Sequence, residues 1–99
     1  MKNLVTLYIG MFDKDTHKQE YSIEYFTKVL DFYFDCYTLT QCKGRYKHED
    51  GTIVNEPTLK VEFIDNNSSF DANTIKLIKN KLNQECIMVT IQMLQISFM

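Results

Sequence analysis

The stretch DKDTHKQEYSIE sets Asp13, Asp15 and Glu24 at the first, third and twelfth positions of a calcium-binding loop. A loop of that kind wraps a hard cation in oxygens and needs a glycine at its sixth position for the sharp turn. Lys18 stands there instead, and His17 occupies a place where Asp or Asn is usual, so a solvated loop is the better reading. His17, His48 and the cysteines lack the short paired spacings of zinc sites. No metal and no cofactor is therefore expected. Cys42 or Cys86 could act as a nucleophile with His48 as base, but a reactive thiol needs a polarised, partly exposed setting. Buried, inert cysteines are the expectation. The chain carries no GxSxG, no HExxH and no glycine-rich phosphate loop, so no catalytic residue is assigned.

A second concentration of chemistry surrounds Asp50-Gly51 in GRYKHEDGTIVNEPTLKVEF, where Arg45, Tyr46, His48 and Glu56 flank a tight-turn signal. Charges gathered at a hairpin serve either as ligand contacts or as a solvated tip. Candidate binding residues are Arg45, Tyr46, His48 and Glu56, with Tyr8 on the first strand. Lys43 to Tyr46, KGRY, resembles the start of an RNA-recognition strand motif, but the later aromatics are missing. A formal charge of −2 also lacks the basic footprint that phosphate neutralisation requires. Nucleic acid is an unlikely partner on these grounds, and salt-sensitive retention on a phosphate column is the minimum evidence for it.

These side chains need a scaffold. Ninety-nine residues make one domain, 1–99, with a hydrophobic fraction of 44% and a charged fraction of 24% that suit a globular protein. Seven phenylalanines and six tyrosines exceed what one small core easily hides, which points to aromatic surface committed to a partner. Three cysteines without a CxxC pair favour a reducing compartment. No membrane segment or cleavable leader is read from the first residues, so a cytoplasmic location is expected.

Val5, Leu7 and Ile9 alternate with Leu4, Thr6 and Tyr8, giving a first strand that Gly10 ends. A polar loop follows. Ser22 is placed to cap a helix whose apolar stripe is Phe26, Val29, Leu30, Tyr33 and Phe34. CYTLTQCKGRYK is a second strand, Thr52 to Ile64 a third, and Asp71 caps a second helix lined by Ile75, Ile78 and Leu82. Phe70 and Ile75 are spaced as a hydrophobic staple, and Asn83 ends the helix. CIMVTIQMLQISF is the fourth strand.

Register is the open question. A two-residue turn at Asp50-Gly51 would place Arg45 opposite Glu56, an attractive pair, but Leu39 would then face Glu62. A β-bulge near Pro57 repairs the mismatch and is the expectation; a longer turn repairs it equally well.

The order βαββαβ is the ferredoxin-like plan of an α+β domain: a four-stranded antiparallel sheet with both helices on one face. Tyr8, Thr6, Thr38, Thr40, Thr90 and Gln92 are candidates for the uncovered face. The chain resembles a family of small bacterial domains of unknown function in LYIG, in Tyr37 to Phe63, in NQECIMV and in the closing ISF. It is also similar, more loosely and through LYIGMFDKDTHKQE, to short proteins carried by mobile elements of low-GC bacteria. The first resemblance implies the fold. The second implies an inhibitor of a host defence system, acting as decoy or sponge. The expectation is a non-catalytic binding protein, a homodimer, that holds a protein or small-molecule ligand on the open face and hairpin. The alternative is a small enzyme in which two such sheets close a dimeric barrel around an apolar small molecule.

Overall fold

The structure, a computed structural model, describes residues 2–66 and 71–95. The elements are β1 (Lys2–Gly10), α1 (Ile23–Tyr33), β2 (Thr38–Lys47), β3 (Ile53–Asn66), α2 (Ala72–Lys81) and β4 (Met88–Leu94). The strands form one antiparallel sheet in the order β2-β3-β1-β4. This is the ferredoxin-like arrangement.

Strand alternation sends Val5, Leu7 and Ile9 of β1 and Leu59 and Val61 of β3 to one face, where all five are buried. Phe26, Val29 and Leu30 of α1, Ile78 of α2 and the cap residue Leu82 bury their side chains in the same cluster. Both helices therefore cover one face of the sheet. Each starts as the sequence predicts: the Ser22 hydroxyl accepts from the Tyr25 amide and the Asp71 carboxylate from the Asn73 amide. Asn83, with φ of 50°, sits just past α2 in the left-handed conformation that closes helices. Phe34 ends α1 and stacks on Phe63 with ring centroids 4.5 Å apart. Phe70 of the expected staple and the closing Ile96 to Phe98 lie outside the described residues.

The bulge at Pro57 is overturned. β2 and β3 pair without interruption from Thr38↔Glu62 to Lys47↔Ile53, with Lys43 opposite Pro57. The turn itself supplies the missing residue: His48 N–H donates to the Thr52 carbonyl at 2.8 Å, leaving Glu49, Asp50 and Gly51 as a three-residue loop. Leu39 then faces Val61, and Arg45 faces Asn55 rather than Glu56. The Asp50 carboxylate accepts from the Thr52 amide at 2.8 Å, which holds its pKa down. Gly51 has φ of 92°. Gly51→Ala is expected to cost about 1–2 kcal/mol, because a Cβ is strained there, and a urea titration against wild type measures it.

β2 and β3 run past the end of β1, whose last pair is Gly10↔Thr58, so residues 43–57 form a two-stranded arm. The molecule is elongated accordingly, with extents of 46 × 27 × 25 Å.

Candidate functional site

Parity on β1 and β3 decides what the uncovered face displays. Leu4, Thr6, Tyr8 and Gly10 lie beside Ile64, Glu62, Lys60 and Thr58, and across β1 from Gln92, Thr90 and Met88. Thr38, Thr40, Cys42, Gly44 and Tyr46 continue this face on β2. All six residues proposed for the open face are on it. Near its middle Lys60 and Glu62 lie 3.7 Å apart. A cavity of about 520 Å³ at one end is lined by Leu4, Tyr37, Glu62 and Phe63 among others. Tyr37 donates to Asp31 there at 2.6 Å, and burial followed by this bond pushes its phenol up to about 12.

The other end, where the arm leaves the sheet, holds a charge with no cation beside it among the described residues. Glu56 is half-buried, and its Oε2 accepts from the Phe12 amide at 2.9 Å. Its other oxygen makes no hydrogen bond among the described residues. The carboxylate lies over Gly10, so closely that a Cβ there would stand 2.5 Å from Oε2. Glycine is required at position 10 for that approach rather than for a turn. Gly44, opposite Glu56, clears space in the same way, since a Cβ on it would meet the Thr58 hydroxyl at 2.9 Å. The backbone at the two glycines is thus covered by neighbouring side chains, the Glu56 carboxylate at Gly10 and the Thr58 hydroxyl at Gly44.

Tyr46 is 44% exposed two residues further along β2, its ring edge-on to His48 with centroids 5.3 Å apart. Partial burial raises the Tyr46 phenol, and the charges of Glu56 and Glu85 raise it further. The phenol therefore keeps its proton at neutral pH and stays a donor. Glu85, in the connection after α2, adds to the negative potential at this end.

Of the expected binding residues, the structure brings Tyr46, His48 and Glu56 to one end of one face. Tyr8 shares the face but lies further along β1, between Lys60 and Met88. Arg45 points to the opposite face, and its Nη1 donates to Asn55 Oδ1 at 3.1 Å. Its expected partner Glu56 is one position out of register. The cysteines are also corrected: Cys36, Cys42 and Cys86 are all exposed, because Cys42 lies on the open face of an edge strand and the others lie in connections.

The loop after β1, expected from sequence to be solvated chain, is where the fold adds most. Asp13 is 7% exposed and accepts from the Asp15 and Thr16 amides and from Asn83 Nδ2, the last at 2.7 Å. Phe12 bridges Gln19, and the Lys14 amide donates to the Asn83 carbonyl at 3.0 Å. Gln84 Nε2 donates to the Phe12 carbonyl at 2.9 Å. Asp13, Asn83 and Gln84 thus fasten the β1–α1 loop to the end of α2, about seventy residues away in sequence. A sequence signal existed only for Asn83, as a helix terminator. Among the described residues, no group of three His, Cys, Asp or Glu side chains is placed to hold a metal.

Asn83 lowers the Asp13 pKa most, followed by the Asp15 amide, from an ordinary value of 3.8. A depressed carboxyl contributes stability that is complete above its unfolded value and is lost as pH falls through the folded one. Wild type should therefore lose stability on acidification below pH 3.8. Asp13→Asn should show a shallower loss over the same range, in urea titrations at a series of pH values.

No family model matches the chain, and no curated protein does either. Two solved structures share the fold. A phage SAM lyase in complex with S-methyl-5'-thioadenosine is 17% identical with a TM-score of 0.64, over 92% of this chain and 80% of that one. A phage SAM lyase in the apo state is 16% identical with a TM-score of 0.63, over 91% and 78%. At such identities the likeness is one of architecture. No helix among the described residues is long and apolar enough to cross a membrane.

Proposed function

We propose that this protein is a phage anti-defence protein that withdraws S-adenosylmethionine, binding it at the arm end of the open face through Glu56. The observation that carries the reading is the half-buried Glu56 carboxylate, held through one oxygen and unpaired by any cation among the described residues. A carboxylate in that state favours a cationic ligand, and a sulfonium keeps its charge at every pH. Gly10 lets the carboxylate lie close over the strand, and Tyr46 offers a ring for stacking and a protonated hydroxyl. The phage SAM lyases that share the fold supply the ligand class, and the mobile-element resemblance supplies the biological setting. Loss of the methyl donor would starve defence systems that depend on methylation.

Retention without reaction makes the protein a sponge. Cleavage is the second reading, favoured by the protonated Tyr46 phenol close enough to Glu56 to feel its charge, and by the activity named for the neighbours. One experiment separates them: purified protein is incubated with an excess of S-adenosylmethionine, and free ligand and S-methyl-5'-thioadenosine are followed by chromatography. Product beyond one equivalent per chain establishes a lyase, and stoichiometric retention without product establishes a sponge. Unchanged free ligand and no product would reject both.

A further inference from the structure

We infer that Gln84 is a positioning residue for the Glu56 carboxylate, acting through the backbone of Phe12; the inference rests on the reading of Glu56 as the ligand-facing charge. Gln84 is 6% exposed, and its amide nitrogen donates to the Phe12 carbonyl at 2.9 Å and to the Leu82 carbonyl at 3.4 Å. Its own backbone N–H donates to the Lys79 carbonyl at 2.9 Å, which roots it in the end of α2. On its other side Phe12 gives its N–H to Glu56 Oε2, and the preceding Met11 N–H goes to the Pro57 carbonyl at 2.8 Å.

Phe12 is therefore gripped at both ends, by Gln84 at its carbonyl and by Glu56 at its amide. It stands past the end of the β1–β3 ladder, where an isolated bridge to Gln19 and the Asp13 N–H on the Lys18 carbonyl hold the chain on its far side. The buried Gln84 amide adds a bond at the Phe12 carbonyl itself. Without that donor the carbonyl loses its partner and the segment loses one of its anchors. The Phe12 N–H then holds Glu56 Oε2 less firmly, and the carboxylate is free to rotate off Gly10. A ligand pays for that freedom as lost pre-organisation. The sequence gives no hint of this role, since Gln84 lies in a connection 72 residues from Phe12.

The test uses Gln84→Met, which keeps length and bulk without a donor, and Gln84→Glu as a second variant of the same length in case Met does not fold. Each is measured alone and combined with Glu56→Gln, with thermal melting as the check on folding. The expected results are an S-adenosylmethionine affinity about 10-fold weaker in the Gln84 variants, and a combined loss with Glu56→Gln well below the product of the two single losses. By nuclear magnetic resonance, the wild-type Phe12 amide should exchange slowly with solvent. In folded Gln84 variants it should exchange about 10-fold faster. A Phe12 amide that exchanges as in wild type overturns the inference, whatever the ligand result. Failure of wild type to bind S-adenosylmethionine refutes the ligand reading alone, because the amide measurement needs no ligand.

Discussion

Replacing Glu56 by Gln is expected to weaken capture of S-adenosylmethionine about 10–100-fold while leaving the fold intact. The substitution keeps the size of the side chain and an oxygen for the Phe12 amide, but it removes the charge that faces the sulfonium. Interactions with a partly desolvated charge run to about 1.5–3 kcal/mol, and each 1.4 kcal/mol is tenfold in affinity. Gly10→Ala should give a comparable loss by a different route. Its Cβ would fall within 2.6 Å of the Glu56 carboxyl atoms, and those atoms form the free end of a flexible chain, so the carboxylate moves and the sheet does not. The two variants together distinguish a charge requirement from a placement requirement. Calorimetric titration with S-adenosylmethionine at two salt concentrations checks both, and a wild-type affinity in Glu56→Gln would end the assignment.

The largest effect on stability should come from Phe26→Ala, at about 3–5 kcal/mol. Phe26 is fully buried on α1 among the side chains that join both helices to β1 and β3. Its loss opens a cavity where the helical layer meets the sheet, and a domain of this kind has only about 5–15 kcal/mol in all. Chemical denaturation followed by circular dichroism measures the change. A cost below about 1 kcal/mol would mean that α1 is not seated on the sheet as described. Phe32, on the same helix but 82% exposed, is the natural control, and its replacement by Ala should fall within about 0.5 kcal/mol of wild type.

Much of the fold was legible because the two periodicities are local. Val5, Leu7 and Ile9 at spacing two, and Phe26, Val29 and Leu30 at helical spacing, name their elements without knowledge of any neighbour. Ser22 and Asp71 mark the helix starts for the same reason, since a cap bonds only to amides two or three residues on. The register of β2 on β3 was half-legible. Leu39 demanded an apolar partner, which showed that one residue had to be absorbed, but hydrophobic pattern does not say where. The chain absorbed it at the tip, where Asp50 and Gly51 satisfy a three-residue loop, and the ladder at Pro57 stayed whole. That single shift moved Arg45 from Glu56 to Asn55 and left Glu56 free of a cation among the described residues.

The sequence alone determined the elements, their order, the ferredoxin-like sheet and the core face of β1, because these follow from side-chain period and chain connectivity. Tertiary structure decided which of the charged candidates form a site. Tyr46, His48 and Glu56 share one face, Arg45 leaves it, and the loop at Phe12 is held by Asn83 and Gln84 from the far end of the chain. The reason is physical: a hydrogen bond between residues seventy positions apart leaves no trace in local spacing, and a glycine kept for a carboxylate looks in sequence like any strand end.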